Sequence, residues 1–206
     1  MKILLLSDEV SKSLYEYFEP AKVKDVDLVL ACGDLKREYL EFFATVIHAP
    51  VLYVLGNHDS WYDPQKGCGG CICIENDIFV YRGVRILGLG GSMRYLPTGK
   101  NQYTETEMIW RIRRLWWKLK RCGGFDILVT HSPAKGVNDL EDLPHQGFAC
   151  FCSLMKKYAP QLFVHGHVHA SYGGGFKRLD QFEQTTVVNA YEYYIIDYPE
   201  KIADNM

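Results

Sequence analysis

The chain has 206 residues, 48% of them hydrophobic and 23% charged. These are the proportions of an ordinary soluble globular protein, at a length that fits one domain, residues 1–206, with a sizeable core. A formal charge of −2 argues against a general nucleic-acid binder, which is normally basic, and no apolar run reaches signal-peptide or transmembrane length. Seven cysteines, an odd number without a secretion signal, point to a reducing cytoplasm rather than a disulfide framework.

Residues 3–7 read as a buried strand that ends at Asp8. Ser11 or Ser13 then caps a short predicted helix through residue 18, closed by Pro20. A second apolar strand, 28–32, ends at Gly33-Asp34, a helix is predicted over 36–47 before Pro50, and a third strand, 51–55, ends at Gly56-Asn57-His58-Asp59. This β-α-β-α-β rhythm predicts a parallel or mixed sheet with helices on its faces.

Residues 60–77 are rich in turn formers and contain Cys68-x-x-Cys71-x-Cys73. Zinc sites usually supply a second Cys or His pair, and none is evident, so loop or core packing is the simpler reading. Two strands, 78–81 and 84–87, are predicted to form a hairpin across Arg82-Gly83. The run 88–92 lacks the third glycine of a dinucleotide fingerprint and the Lys-Ser/Thr of a P-loop, which leaves a tight turn. Thr104-Glu105-Thr106-Glu107 is a capping box that opens a helix to about residue 121. Met108, Ile112, Leu115 and Leu119 fall on its core face, and Arg111, Arg114, Lys118 and Arg121 on a basic stripe. With Trp110, Trp116 and Trp117 nearby, that stripe suggests nucleic acid, but a solvated outer face explains it without a ligand. A strand over 127–130 ends at His131, a helix is predicted over 147–158, and a strand over 162–165 ends at Gly166-His167-Val168-His169. Strands over 186–188 and 193–197 and a polar tail complete the chain.

Five apolar strands therefore end in ligand-type side chains. In open α/β sheets such ends gather at one rim, and this set of oxygen and imidazole donors suits Mn²⁺, Fe or Zn²⁺. The ordered set Asp8, Gly33-Asp34, Gly56-Asn57-His58-Asp59, His131 and Gly166-His167-Val168-His169 resembles the calcineurin-like metallophosphoesterases. The resemblance implies an α/β/β/α sandwich of mixed sheets flanked by helices. It also implies hydrolysis of a phosphomonoester or phosphodiester of a small soluble substrate, such as a nucleotide, by a nucleophile that two divalent ions generate from water. By the same resemblance, Asp34 bridges the ions, one of which also takes Asn57, His131 and His167, and the other Asp8 and His169. His58 donates a proton to the leaving group or a hydrogen bond to the phosphoryl oxygen, and Asp59 orients it.

One position departs from the family pattern, which opens D-x-H. Here the sequence is Asp8-Glu9-Val10, and valine binds no metal, so the Asp8/Asp34/His169 site is weakened toward an oxygen-tolerant ion such as Mn²⁺ or Fe²⁺. The same gap supports a rival expectation, a protein-binding scaffold that keeps the fold without turnover. His145, in the loop after His131, and Arg94, after the glycine turn, are candidate substrate contacts, though solvated loop residues are their plainer reading. His48 and His165 are expected to be structural. Little sequence lies beyond the core to build a nucleic-acid-binding domain, and oligomeric state is not legible.

Overall fold

In β1 (Lys2–Ser7), Ile3 and Leu5 alternate with Leu4 and Leu6, and all four are inaccessible to solvent. A strand buried on both faces requires a layer on each side. A computed structural model, which describes residues 1–60, 62–63, 66–172 and 176–199, contains both layers. After β1 come β2 (Leu28–Ala31), α1 (Arg37–Val46), β3 (Val51–Tyr53), β4 (Cys71–Cys73), β5 (Asp77–Tyr81), β6 (Val84–Leu89), β7 (Ser92–Met93) and β8 (Gln102–Tyr103). They are followed by α2 (Glu105–Arg114), α3 (Trp116–Cys122), β9 (Ile127–Thr130), α4 (Ala149–Tyr158), β10 (Leu162–His165), β11 (Leu179–Phe182), β12 (Thr185–Asn189) and β13 (Glu192–Asp197).

Two large mixed sheets result, ordered β13-β1-β2-β3-β4 and β11-β12-β10-β9-β6-β5. In the first only β13 runs antiparallel, and in the second β5 and β11 do. The sheets meet through Ile3, Leu5, Leu28 and Leu30 on one side and Ile86, Ile127, Val129 and Val164 on the other. The opposite faces of the same strands bury Leu4, Leu6 and Val29 against Tyr39, Leu40 and Phe43 of α1. On the second sheet, Leu128 and Phe163 pack against Met108, Leu119, Phe151 and Met155 of the other helices. This is the α/β/β/α sandwich the resemblance implies. Among the described residues no helix is long and apolar enough to cross a membrane.

Several local expectations are corrected. Residues 11–18 form turns rather than a helix. Ser11 Oγ is drawn to Glu192 Oε1 (2.8 Å) instead of capping, and Tyr15 and Phe18 pack edge-on against Tyr39 and Phe42, a tertiary override of local propensity. The helix expected over 104–121 keeps its capping box but divides at Leu115, whose amide tightens onto Ile112 O at 3.0 Å. The basic stripe loses Arg111 to the interior, where it pairs with Glu75, donates to Gly90 O (2.7 Å) and lies 4.1 Å from the Tyr103 ring. Gly88 and Leu89 extend β6 instead of turning, and β7, β8 and β11 are strands beyond those expected. The end of the polar tail, residues 200–206, lies outside the described residues.

Candidate metal centre

The carboxyl ends of β1, β2, β3, β9 and β10 deliver Asp8, Asp34, Asn57-His58-Asp59, His131 and His167-Val168-His169 to one rim. The backbone is forced to turn there. Asp8, Asp34 and His167 adopt left-handed φ values of 65°, 56° and 68°, which cost non-glycine residues on the order of 1 kcal/mol each. Glycine is required where the turns touch. Gly33 has φ +94°, and a Cβ on it would stand 2.9 Å from His131 Nδ1 and 2.7 Å from Gly56 Cα.

The side chains converge on the His131 Nε2 atom. Asn57 Oδ1 lies 3.0 Å away, His167 Nδ1 3.0 Å and Asp34 Oδ2 3.3 Å. The far nitrogens meet backbone carbonyls: His131 Nδ1 is 2.8 Å from Cys32 O, and His167 Nε2 is 2.7 Å from Pro144 O. A carbonyl only accepts, so these contacts assign N–H to the far nitrogens and leave lone pairs on the two that face each other. Two imidazole lone pairs, an amide oxygen and a carboxylate oxygen then share one small space with no donor among them. A cation satisfies all four, and Asp34, His131 and His167 form the one group of three metal-type ligands among the described residues. The donor set fits a divalent ion.

Without an ion, the cluster takes up a proton. Burial alone would depress His131, but the charge and hydrogen bond of Asp34, with help from Asp8 and Cys32 O, raise it to about 9. Asp34 falls to about 2 although burial pushes it up, because His131 and the His58 amide outweigh that push. His167 drops to about 3, through burial and the neighbouring His131 charge.

Beside this group, Asp8 Oδ2 accepts from the His167 amide at 2.9 Å. Its Oδ1 is buried and pairs with His169 Nε2 at 3.3 Å. His169 is stacked on Tyr172 at 4.7 Å and flanked by Tyr191 at 4.9 Å. Tyr191 hydroxyl donates to Glu9. Val10 packs its side chain against the apolar cluster under α1.

A family model described as calcineurin-like phosphoesterase matches residues 1–171. The chain belongs to that family. Calcineurin-like phosphoesterases are metal-dependent hydrolases of phosphate esters, and divalent metals are part of what membership implies here. No curated protein matches the sequence. Among solved structures, TT1561 of Thermus thermophilus aligns with TM-score 0.65 at 18% identity, over 93% of this chain and 89% of that one. GAP50, the anchor in the inner membrane complex of Plasmodium, aligns with TM-score 0.51 at 13% identity, over 92% and 70%. At these identities the likeness establishes the fold.

In this calcineurin-like phosphoesterase a cavity of about 180 Å³ opens over the centre, lined by Asp34, Asn57, His58, Tyr95, His145 and Tyr172 among others. His58 is exposed, and its amide is fixed on Asp34 Oδ1 at 2.7 Å. Asp59 Oδ2 accepts from Gly56 N (2.7 Å) and Asp34 N (3.0 Å), so it ties together the two turns that carry the ligands. Burial raises Asp59 to about 6, and the Asp34 charge adds to the rise. His145 reaches the cavity wall with Nδ1 on Asp142 Oδ2 at 2.6 Å. Arg94 instead binds Glu107 (3.0 Å) and Gln102 O (3.1 Å) and is not in the lining. His165 is buried, bonded to Gly166 O at 2.9 Å. Tyr95, whose hydroxyl accepts from Asn57 Nδ2 at 3.2 Å, and Tyr172 were not singled out by sequence. Tyr172 lies one helical turn past His169, which is the signal that could have found it.

Proposed function

We propose that the chain hydrolyses phosphate esters of a small soluble substrate as a single domain over residues 1–206. Asp34, Asn57, His131 and His167 hold one divalent ion, and Asp8, Asp34 and His169 hold the other. The observation that carries this reading is the cluster of three acceptor atoms within 3.3 Å of His131 Nε2. Bound ions supply Lewis acidity toward phosphate oxygens and lower the pKa of water. With Val10 in place of an imidazole, the Asp8 site favours Mn²⁺ or Fe²⁺ over tightly held Zn²⁺.

The chain's own groups do the remaining work. His58 stands on the cavity wall, positioned through its amide by Asp34, and gives a proton to the leaving group or a hydrogen bond to the phosphoryl oxygen. Asp59 keeps the His58 loop against the Asp34 turn. His145, its ring set by Asp142, directs its other nitrogen at a substrate oxygen. The described lining contains no Lys or Arg, which favours a singly charged phosphodiester over a dianionic monoester. Seven cysteines, an odd number, support a cytoplasmic location.

The test is turnover of a generic aryl phosphodiester and phosphomonoester with added Mn²⁺, by wild type and Asp34→Asn. Wild type is expected to cleave the diester faster, and Asp34→Asn to lose at least ~100-fold. A second reading, a scaffold that keeps the fold without turnover, is favoured by Val10 alone. No hydrolysis of either ester at any metal concentration would select it.

A further inference from the structure

Residues 68–71, Cys-Gly-Gly-Cys, lead into β4 away from the metal centre. The Cys71 amide bonds Cys68 O at 3.1 Å, with Gly70 at φ +75°, a tight turn that needs glycine at its third position. The turn brings the thiols face to face, with Sγ atoms 2.6 Å apart. Closing to the ~2.05 Å of a disulfide asks only a small side-chain adjustment. The turn is anchored on α1, where Gly69 N donates to Glu41 Oε1 at 2.8 Å and Cys68 Sγ points at Arg37 O at 4.0 Å.

A shared metal does not explain the pair, since no cysteine joins a group of three metal-type ligands among the described residues. Cys73, the third member of the motif, turns to Tyr53 and Tyr62. We propose that Cys68 and Cys71 form a redox-active dithiol that closes reversibly to a disulfide when a hydroperoxide is present. The Cys68 thiolate attacks the peroxide O–O bond, becomes a sulfenic acid and releases the other oxygen as hydroxide or alcohol. Cys71 sulfur then displaces water from Cys68, its thiol proton leaving with that water. With hydrogen peroxide, two thiols are oxidised, one peroxide is reduced and two waters form. The surroundings favour Cys68 as attacker. The hydrogen bond from Cys71 holds its thiol below the usual range, against burial and the Glu41 charge, which push it up. In Cys32, Cys150 and Cys152 burial pushes the thiol up with no neighbouring thiol to offset it.

The test treats the full-length protein with hydrogen peroxide, blocks free thiols with iodoacetamide and maps the peptides by mass spectrometry. The expected product joins Cys68 to Cys71, two hydrogens lighter, with the other five cysteines alkylated, and dithiothreitol reverses it. In Cys71→Ser the resolving thiol is gone, so Cys68 should stop as a sulfenic acid captured by dimedone, about tenfold more than Cys122. Alkylation of both cysteines to the same extent as the rest, a bridge between other cysteines, or equal dimedone labelling of Cys68 and Cys122 in the variant would each overturn the proposal.

Discussion

His131 in the ion-free chain is held near a pKa of about 9, so it carries a proton at pH 7, whereas a metal ligand must be neutral. Ion uptake therefore expels that proton. Below pH 9 the apparent affinity for Mn²⁺ should fall by about tenfold per pH unit on this account, and above it the dependence should flatten. Calorimetric titration in buffers of different ionisation enthalpy should show about one proton released at pH 7; none released would contradict the assigned role of His131. Val10 gives a second prediction at this scale. Val10→His should raise the metal-to-protein ratio at limiting Mn²⁺ by adding an imidazole beside Asp8, at a cost of ~1 kcal/mol in lost packing under α1. An unchanged ratio by elemental analysis would refute the account of the gap.

Glu105 shows how neighbouring elements fix each other. It lies in the first turn of α2, while its carboxylate accepts from the first amides of α4, Ala149 N (3.0 Å) and Cys150 N (2.7 Å). One anion thus serves two helix N-termini, and Glu105→Ala should cost ~1–2 kcal/mol in urea unfolding. Glu75 plays a similar part under the metal loop, accepting from Leu55 N (3.1 Å) and Gly90 N (3.0 Å) and pairing with Arg111. Glu75→Leu removes the counter-charge of Arg111 and leaves both amides without their acceptor, and a loss of ~3 kcal/mol is expected in the same measurement. Neither contact was legible in the sequence, because each joins residues whose proximity only the folded chain creates. The strands that carry the ligands were legible, since continuous apolar runs buried on both faces leave a signal that survives without context. The capping box at Thr104 was equally plain. The break at Leu115 was not, as no proline or glycine marks it, and the 11–18 segment went astray because aromatic packing on α1 outweighed a serine cap. In the centre, the convergence of Asp34, Asn57, His131 and His167 was readable from the strand ends that carry them. Tyr95 and Tyr172 were hidden because an aromatic residue in a loop reads as ordinary packing.

Across the whole molecule, the donors are divided between the two sheets: Asp8, Asp34 and Asn57 come from the first, and His131, His167 and His169 from the second. An ion bound only by the folded chain stabilises it by mass action. Mn²⁺ at about a hundred times its dissociation constant should therefore add ~2.7 kcal/mol, read as a higher melting temperature that chelator reverses and Asp34→Asn lacks. The division has a mechanical corollary. Any slide or twist of one sheet over the other must alter the gap between the two halves of this set, so its spacing is set by the grip of Leu5, Leu30, Ile127 and Val164 deep between the layers. Trimming one of those side chains, far from any ligand, should therefore loosen the jaws as well as the fold.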